Sequence, residues 1–182
     1  MDRANLPGRY RGATVGAIQH QELRDWVQGA IDNPVSWLGE GLGFLMSGQL
    51  NAGKSSIAAI LLMDALQRCE VGLWLAARQV PGVMFREGER NQELNDRLYD
   101  ADVVVIDDLG AEAYSMRRAG GSALEGAMRA VYDNGRSLIV TSNLSSLKDR
   151  YPEPMMSVLQ RMTGRLVVKN TQWDDGPGDV TI

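Results

Sequence analysis

The stretch "GQLNAGKSS", Gly48–Ser56, lies between the apolar run "GFLMS" (43–47) and the helical run "IAAILLMDALQ" (57–67). Its two glycines, one lysine and paired hydroxyls meet the pattern G-x-x-x-x-G-K-[ST] at Gly48, Gly53, Lys54 and Ser55. Anion chemistry accounts for each part. A loop wrapped around a phosphate aims successive backbone N–H groups at it, and glycines permit the backbone angles this needs. A helix opening at Lys54 adds its positive N-terminal end. Lys54 is spaced to reach β- and γ-phosphates, and the Ser55 hydroxyl to ligate Mg²⁺. Gln49, Leu50, Asn51, Ala52 and Ser56 complete the cradle. Asn51 stands where many such loops carry glycine, and asparagine tolerates left-handed angles better than most residues.

A triphosphate site of this kind needs a carboxylate near the metal. "VVVIDDLG" (103–110) supplies two, at the tip of a β-branched run. Asp107 is read as the residue that holds the Mg²⁺ shell. Asp108 is read as the acid that polarises an attacking water. Between the loop and this strand lies one further apolar run, "VGLWLAA" (71–77). After it comes "SLIVTSN" (137–143), whose polar end is Thr141, Ser142 and Asn143. In a parallel sheet that end shares the C-terminal edge with the phosphates. Asn143 is therefore a candidate to hold the attacking water or contact the γ-phosphate.

Outward from these motifs, apolar runs alternate with helical patterns. The predicted strands are 43–47, 71–77, 101–108, 136–143 and "RLVVKN" (165–170). Helical patterns cover 20–33, 55–69, 84–100 with Gly88 as a weak point, 120–135 and 152–164. Such alternation predicts βαβ crossovers and a five-stranded parallel sheet covered on both faces. The organisation read from the chain is a lead with one helix (1–40), a nucleoside-triphosphatase core (41–170) and an acidic tail (171–182).

The chain has 182 residues, enough for one domain with a real core, and a net charge of −4. No apolar run is long enough to span a bilayer, and "MDRANLPGRYRGAT" lacks the apolar stretch of a signal peptide. The expected location is the cytoplasm, with no membrane partner. Cys69 is the only cysteine, which excludes an internal disulfide, and its apolar setting predicts a buried, inert thiol. His20 is the only histidine, which argues against a histidine-built zinc site or a Ser-His-Asp triad. Residues 117–165 are locally basic: Arg117, Arg118, Arg129, Arg136, Lys148, Arg150, Arg161 and Arg165 stand against Glu125, Asp133, Asp149 and Glu153. A basic face can meet phosphates, while a mixed solvated surface accounts for the same charges.

In order and spacing, "GQLNAGKSS", "VVVIDDLGAE", "VYDNGRSLIVTSNLS" and "VLQRMTG" resemble the DnaC/IstB-like branch of AAA+ ATPases. That branch contains helicase loaders and transposition helpers. "NLPGRYRGAT" resembles the lead-in of phage-type members. The resemblance implies ATP as the nucleotide and a P-loop αβα core with strand order 5-1-4-3-2. It also implies assembly into a ring or spiral whose active sites are shared between neighbours. Lys54 and Ser55 match the Walker A positions, Asp107 and Asp108 the Walker B positions, and Asn143 the sensor. Arg161, in "LQRMTG", matches the arginine finger, with Arg165 as the second candidate. The short stretch after Arg165 implies a lid that is missing or minimal, and the residues before Gly48 leave room for no separate helicase-gripping domain.

The function these features imply is ATP-dependent loading of a hexameric replicative helicase onto single-stranded DNA. The alternatives are a transposition or recombination ATPase and a nucleotide-gated adaptor with slow hydrolysis. Arg117, Arg118 and Arg129 fall on the segment that in such rings faces the central channel, and so are the candidate DNA contacts. A basic channel tracks backbone phosphates without reading sequence.

Overall fold

The computed structural model describes residues 4–38, 40–68, 70–111, 117–164, 167–168 and 180–181. Cys69, Arg165 and most of the acidic tail lie outside the described residues, as do the side chains of Arg117 and Arg118.

Five parallel strands form one sheet: β1 (Gly43–Ser47), β2 (Gly72–Ala76), β3 (Val103–Leu109), β4 (Ser137–Ser142) and β5 (Thr163–Gly164). They run in the order β2-β3-β4-β1-β5. Read from the other edge, this is the expected 5-1-4-3-2. Four strands are full length, and the fifth is reduced to two residues.

That fifth strand corrects the sequence reading, which placed it at 165–170. Helix α6 (Glu153–Met162) stops one residue before β5. The Thr163 hydroxyl donates to the Leu159 carbonyl at 2.6 Å, and Thr163 itself is already extended, with φ −107°. The chain thus meets the edge of β1 at once, pairing Thr163 with Gly43 and Gly164 with Phe44. Val167 and Val168 of the predicted strand lie outside this sheet. There Val167–Val168 (β6) pairs antiparallel with Val180–Thr181 (β7).

Period-two alternation explains the layers. Val104 and Ile106 of β3, Leu73 and Leu75 of β2, and Leu138 and Val140 of β4 face one side. They pack there against α3 (Val80–Met84), α4 (Glu89–Asp100), α5 (Arg117–Asp133) and α6. Val103, Val105, Trp74, Ile139 and Met46 face the other side, against α1 (Gln21–Asp32) and α2 (Lys54–Gln67). The single helix predicted over 84–100 is divided by Gly88, whose φ of +79° suits glycine, so that only α4 continues beyond it. Gly43 is required by close approach: a Cβ there would lie 1.7 Å from the Leu138 carbonyl oxygen, so no larger residue fits between β1 and β4.

The N-terminal lead is part of the core. Ala4, Leu6, Ile18, Leu23, Val27 and Trp37 are buried with α2 and Trp74. The Asn5 side-chain amide donates to the Trp74 carbonyl at 2.8 Å, and the Tyr10 and Trp74 rings lie 5.3 Å apart. Among the described residues, no helix is long and apolar enough to cross a membrane.

Candidate nucleotide site

The loop after β1 is anchored by the Gly48 N–H, which donates to the Ser142 carbonyl of β4 at 3.2 Å. Two of its residues are left-handed: Asn51 with φ 64° and Gly53 with φ 80°. Asn51 thus does the work that glycine does in related loops. Helix α2 opens at Lys54, so its free N–H groups face the loop. The Lys54 ammonium donates to the Gly48 carbonyl at 2.9 Å and to that of Gln49. Lys54 is only 5% exposed, and burial lowers its pKa below the ordinary lysine value, opposed by the charges of Asp108 and Asp107. Bound phosphates would add to that opposition and hold the ammonium charged.

Two consecutive residues on a regular strand point to opposite faces. Asp107 and Asp108 nevertheless line the same cavity. The β3–β4 register explains how. Ile106 pairs with Val140, but the next pair is Leu109 with Ser142, so β3 carries one extra residue at the acids. This is a β-bulge, which re-aims side chains and is common beside active sites. Asp108 takes up the turn with a left-handed φ of 60°. Such a conformation costs on the order of 1–3 kcal/mol in a non-glycine residue.

Hydrogen bonds hold the pair in place. Asp107 Oδ1 accepts from the Ser55 hydroxyl at 2.6 Å and from the Thr141 hydroxyl at 2.7 Å. Thr141 Oγ1 in turn accepts the Asp108 N–H at 2.8 Å. The Asn143 amide donates to Asp108 Oδ1 at 2.7 Å. Thr141 therefore couples the two acids through one hydroxyl, a role the sequence reading did not assign. The signal available was its place at the polar end of "SLIVTSN".

A cavity of about 490 Å³ joins these groups. Loop residues Leu50 to Ser56 line it, together with Asp107, Asp108, Thr141 and Asn143. Arg9 and Tyr10 of the lead line it as well, and nothing in the sequence spacing marked them. Behind the loop lies an apolar cavity of about 280 Å³, whose walls include Ala13, Ile18 and Leu23 of the lead and Ile57 and Ile60 of α2.

The oxygen pair Ser55 Oγ and Asp107 Oδ1 suits a hard cation such as Mg²⁺, which keeps most of its shell as water and phosphate oxygen. Among the described residues, no group of three or more His, Cys, Asp or Glu is placed to hold a metal by itself.

Two predicted groups do not join the site. Arg161 is exposed in the last turn of α6, two residues before Thr163. Thr163 pairs with Gly43, at the opposite end of β1 from the phosphate loop, roughly 15 Å away by strand rise. An arginine cannot span that gap within its own subunit. Arg129 lies on the surface of α5 in an ion pair with Glu125 at 2.9 Å. It is also twelve residues from Arg117, about 18 Å along the helix.

No protein-family model and no curated protein matches the sequence. Solved structures do. The chain is similar to the DnaC helicase loader, with a TM-score of 0.73 and 20% identity, covering 88% of this chain and 99% of that one. It is similar to DnaI, with a TM-score of 0.69 and 17% identity, covering 88% and 91%. It is also similar to the replication initiator DnaA bound to AMPPCP and single-stranded DNA, with a TM-score of 0.67 and 15% identity. That match covers 90% of this chain and 50% of DnaA. At these identities the likeness shows the fold: an αβα P-loop core in the AAA+ arrangement.

Proposed function

We propose that this protein is an AAA+ ATPase that loads a hexameric replicative helicase onto single-stranded DNA. The observation that supports it best is the likeness to the DnaC helicase loader over nearly the whole of that chain. With it goes a site in which Lys54, Ser55, Asp107, Asp108 and Asn143 converge on one cavity.

In this reading the base enters the apolar cavity behind the loop, and the phosphates lie along Gly48–Ser56 under the N-terminus of α2. Ser55 and Asp107 would hold Mg²⁺, which neutralises phosphate charge when bound. Asp108 accepts a proton from water as the water oxygen attacks the γ-phosphorus. The bond to the β–γ bridging oxygen breaks, its electrons leave with ADP, and phosphate is released. The Asn143 amide keeps Asp108 aimed at that water. Asn lacks a charge, so it orients the carboxylate without neutralising it.

Arg161 serves a neighbouring subunit. Its fixed guanidinium fork meets the charge spread over the γ-phosphate in the transition state. Self-association into a ring or spiral then completes each site. Lys54→Ala and Arg161→Ala, each nearly inactive alone, are expected to recover a measurable fraction of wild-type phosphate release when mixed. One interface in the mixed assembly then pairs an intact loop with an intact finger. No recovery at any mixing ratio, with both variants still associating, would remove Arg161 from this role.

The channel reading of Arg117 and Arg118 remains part of the proposal, with Arg129 held back by its ion pair to Glu125. The deciding experiment is affinity capture of the host's replicative helicase on the tagged protein, with and without ATP. The expected result is capture with ATP that single-stranded DNA modulates. Capture of a transposase in place of the helicase would move the assignment to the transposition-helper alternative.

A further inference from the structure

The lead contributes two side chains to the phosphate cavity, and the proposed reaction uses neither. We propose that Arg9 reads the terminal phosphate from within the same subunit, presented to the nucleotide by a fixed turn, Gly8–Tyr10. This rests on the reading of the 48–56 loop as a triphosphate site.

Position is the first argument. Arg9 lines the cavity that also holds Lys54, Ser55, Asp107, Asp108 and Asn143. It lines as well a second cavity of about 580 Å³, which shares Asp107 and Asp108 and adds Arg11, Arg78 and Arg90. Arg9, Asp107 and Asp108 are thus the lining that both cavities share, which puts the arginine on the same cavities as the acids assigned to hydrolysis.

Availability is the second. Arg9 is exposed, and among the described residues no ion pair engages it. Its guanidinium carbon lies 4.7 Å from the centre of the Tyr10 ring. Stacking of this kind holds the plane of the fork while leaving its N–H edges free for an anion. The nearby acids are already occupied: Asp107 by two hydroxyls and Asp108 by the Asn143 amide.

Anchoring is the third. Tyr10 rests on Trp74, which is buried in the sheet. Ala4 and Leu6 on one side of the turn and Ile18 on the other are buried. The turn is pinned at both ends and carries an exposed cation between them, over the cavity.

A contact to the terminal phosphate exists for ATP and not for ADP, so the proposal predicts discrimination between them. Fluorescent ATP and ADP analogues would be titrated onto the full chain as wild type, Arg9→Ala and Arg9→Lys. Arg9→Ala is expected to weaken ATP binding about tenfold, the scale of one charge-assisted contact, and ADP binding less than twofold. Arg9→Lys should recover part of the ATP affinity, because it restores charge without the fork. Melting of Arg9→Ala without nucleotide should match wild type, since the side chain is exposed. Equal losses for ATP and ADP, or no loss for either, would overturn the role of Arg9 while leaving the loop assignment intact. A wild-type protein that binds neither nucleotide would overturn the loop assignment itself, and this proposal with it.

Discussion

Lys54→Ala is expected to lower ATP turnover about 100-fold or more, the scale seen when one preorganised donor to a developing charge is removed. The loss should appear in binding as well. Among the described residues Lys54 is the one buried cation, and its ammonium is already spanned between the Gly48 and Gln49 carbonyls. Its removal would leave those carbonyls, and the phosphates, without a counter-charge. Because burial lowers the pKa of Lys54, the folded protein without nucleotide sheds this proton at lower pH than the unfolded chain does. In that alkaline window the unfolded chain binds more protons, so stability attributable to Lys54 rises with pH. The charged lysine is thus a cost to folding that a bound triphosphate offsets. Lys54→Ala should therefore fold normally and lose function. The check is phosphate release together with calorimetric titration of Mg²⁺-ATP; wild-type values in both would show that the site is misassigned.

Asp108→Asn is expected to bind ATP at near wild-type affinity and to hydrolyse it 10²- to 10⁴-fold more slowly, the range for a general base. An amide keeps the shape, can still hydrogen-bond to Asn143 after a flip, and tolerates the left-handed backbone at this position. It cannot accept the proton of the attacking water. Asp107→Asn should differ in kind. Its amide oxygen can still accept from Ser55 and Thr141, but it carries no charge to offset a divalent cation, so it should raise the Mg²⁺ concentration needed for activity. Single-turnover kinetics across a Mg²⁺ series separates the two. Hydrolysis by Asp108→Asn at the wild-type rate would strip Asp108 of its assigned part.

Local chemistry was legible in the chain by itself. The loop needed glycine or asparagine at left-handed positions, a lysine and a hydroxyl in fixed succession, and these lie within nine consecutive residues. Parallel strands buried on both faces must be apolar along their whole length, which is why "VVVI" and "SLIV" read as central strands. With short connections and right-handed crossovers, that leaves few sheet orders to choose from. The break at Gly88 was visible as a weak point for the same reason: glycine marks where the backbone leaves the helix.

What the tertiary structure decided are matters of register and long-range contact. The sequence determined that two acids follow a strand, but alternation would have sent them to opposite faces. Only the extra residue in β3 opposite β4, and the strained turn at Asp108, bring both to one cavity. Thr141 became the link between them because β4 lies beside β3, a fact no local spacing states. The fifth strand moved to Thr163–Gly164 because the end of α6 delivers the chain to β1 before the more apolar residues arrive. The lead, irregular in pattern, proved to wall both the phosphate cavity and the apolar one behind it. Its residues carry no periodic signal because their role is set by what they touch some forty to one hundred residues further along the chain. Pattern reports a residue's own backbone state; partners that distant are chosen only when the whole sheet has formed.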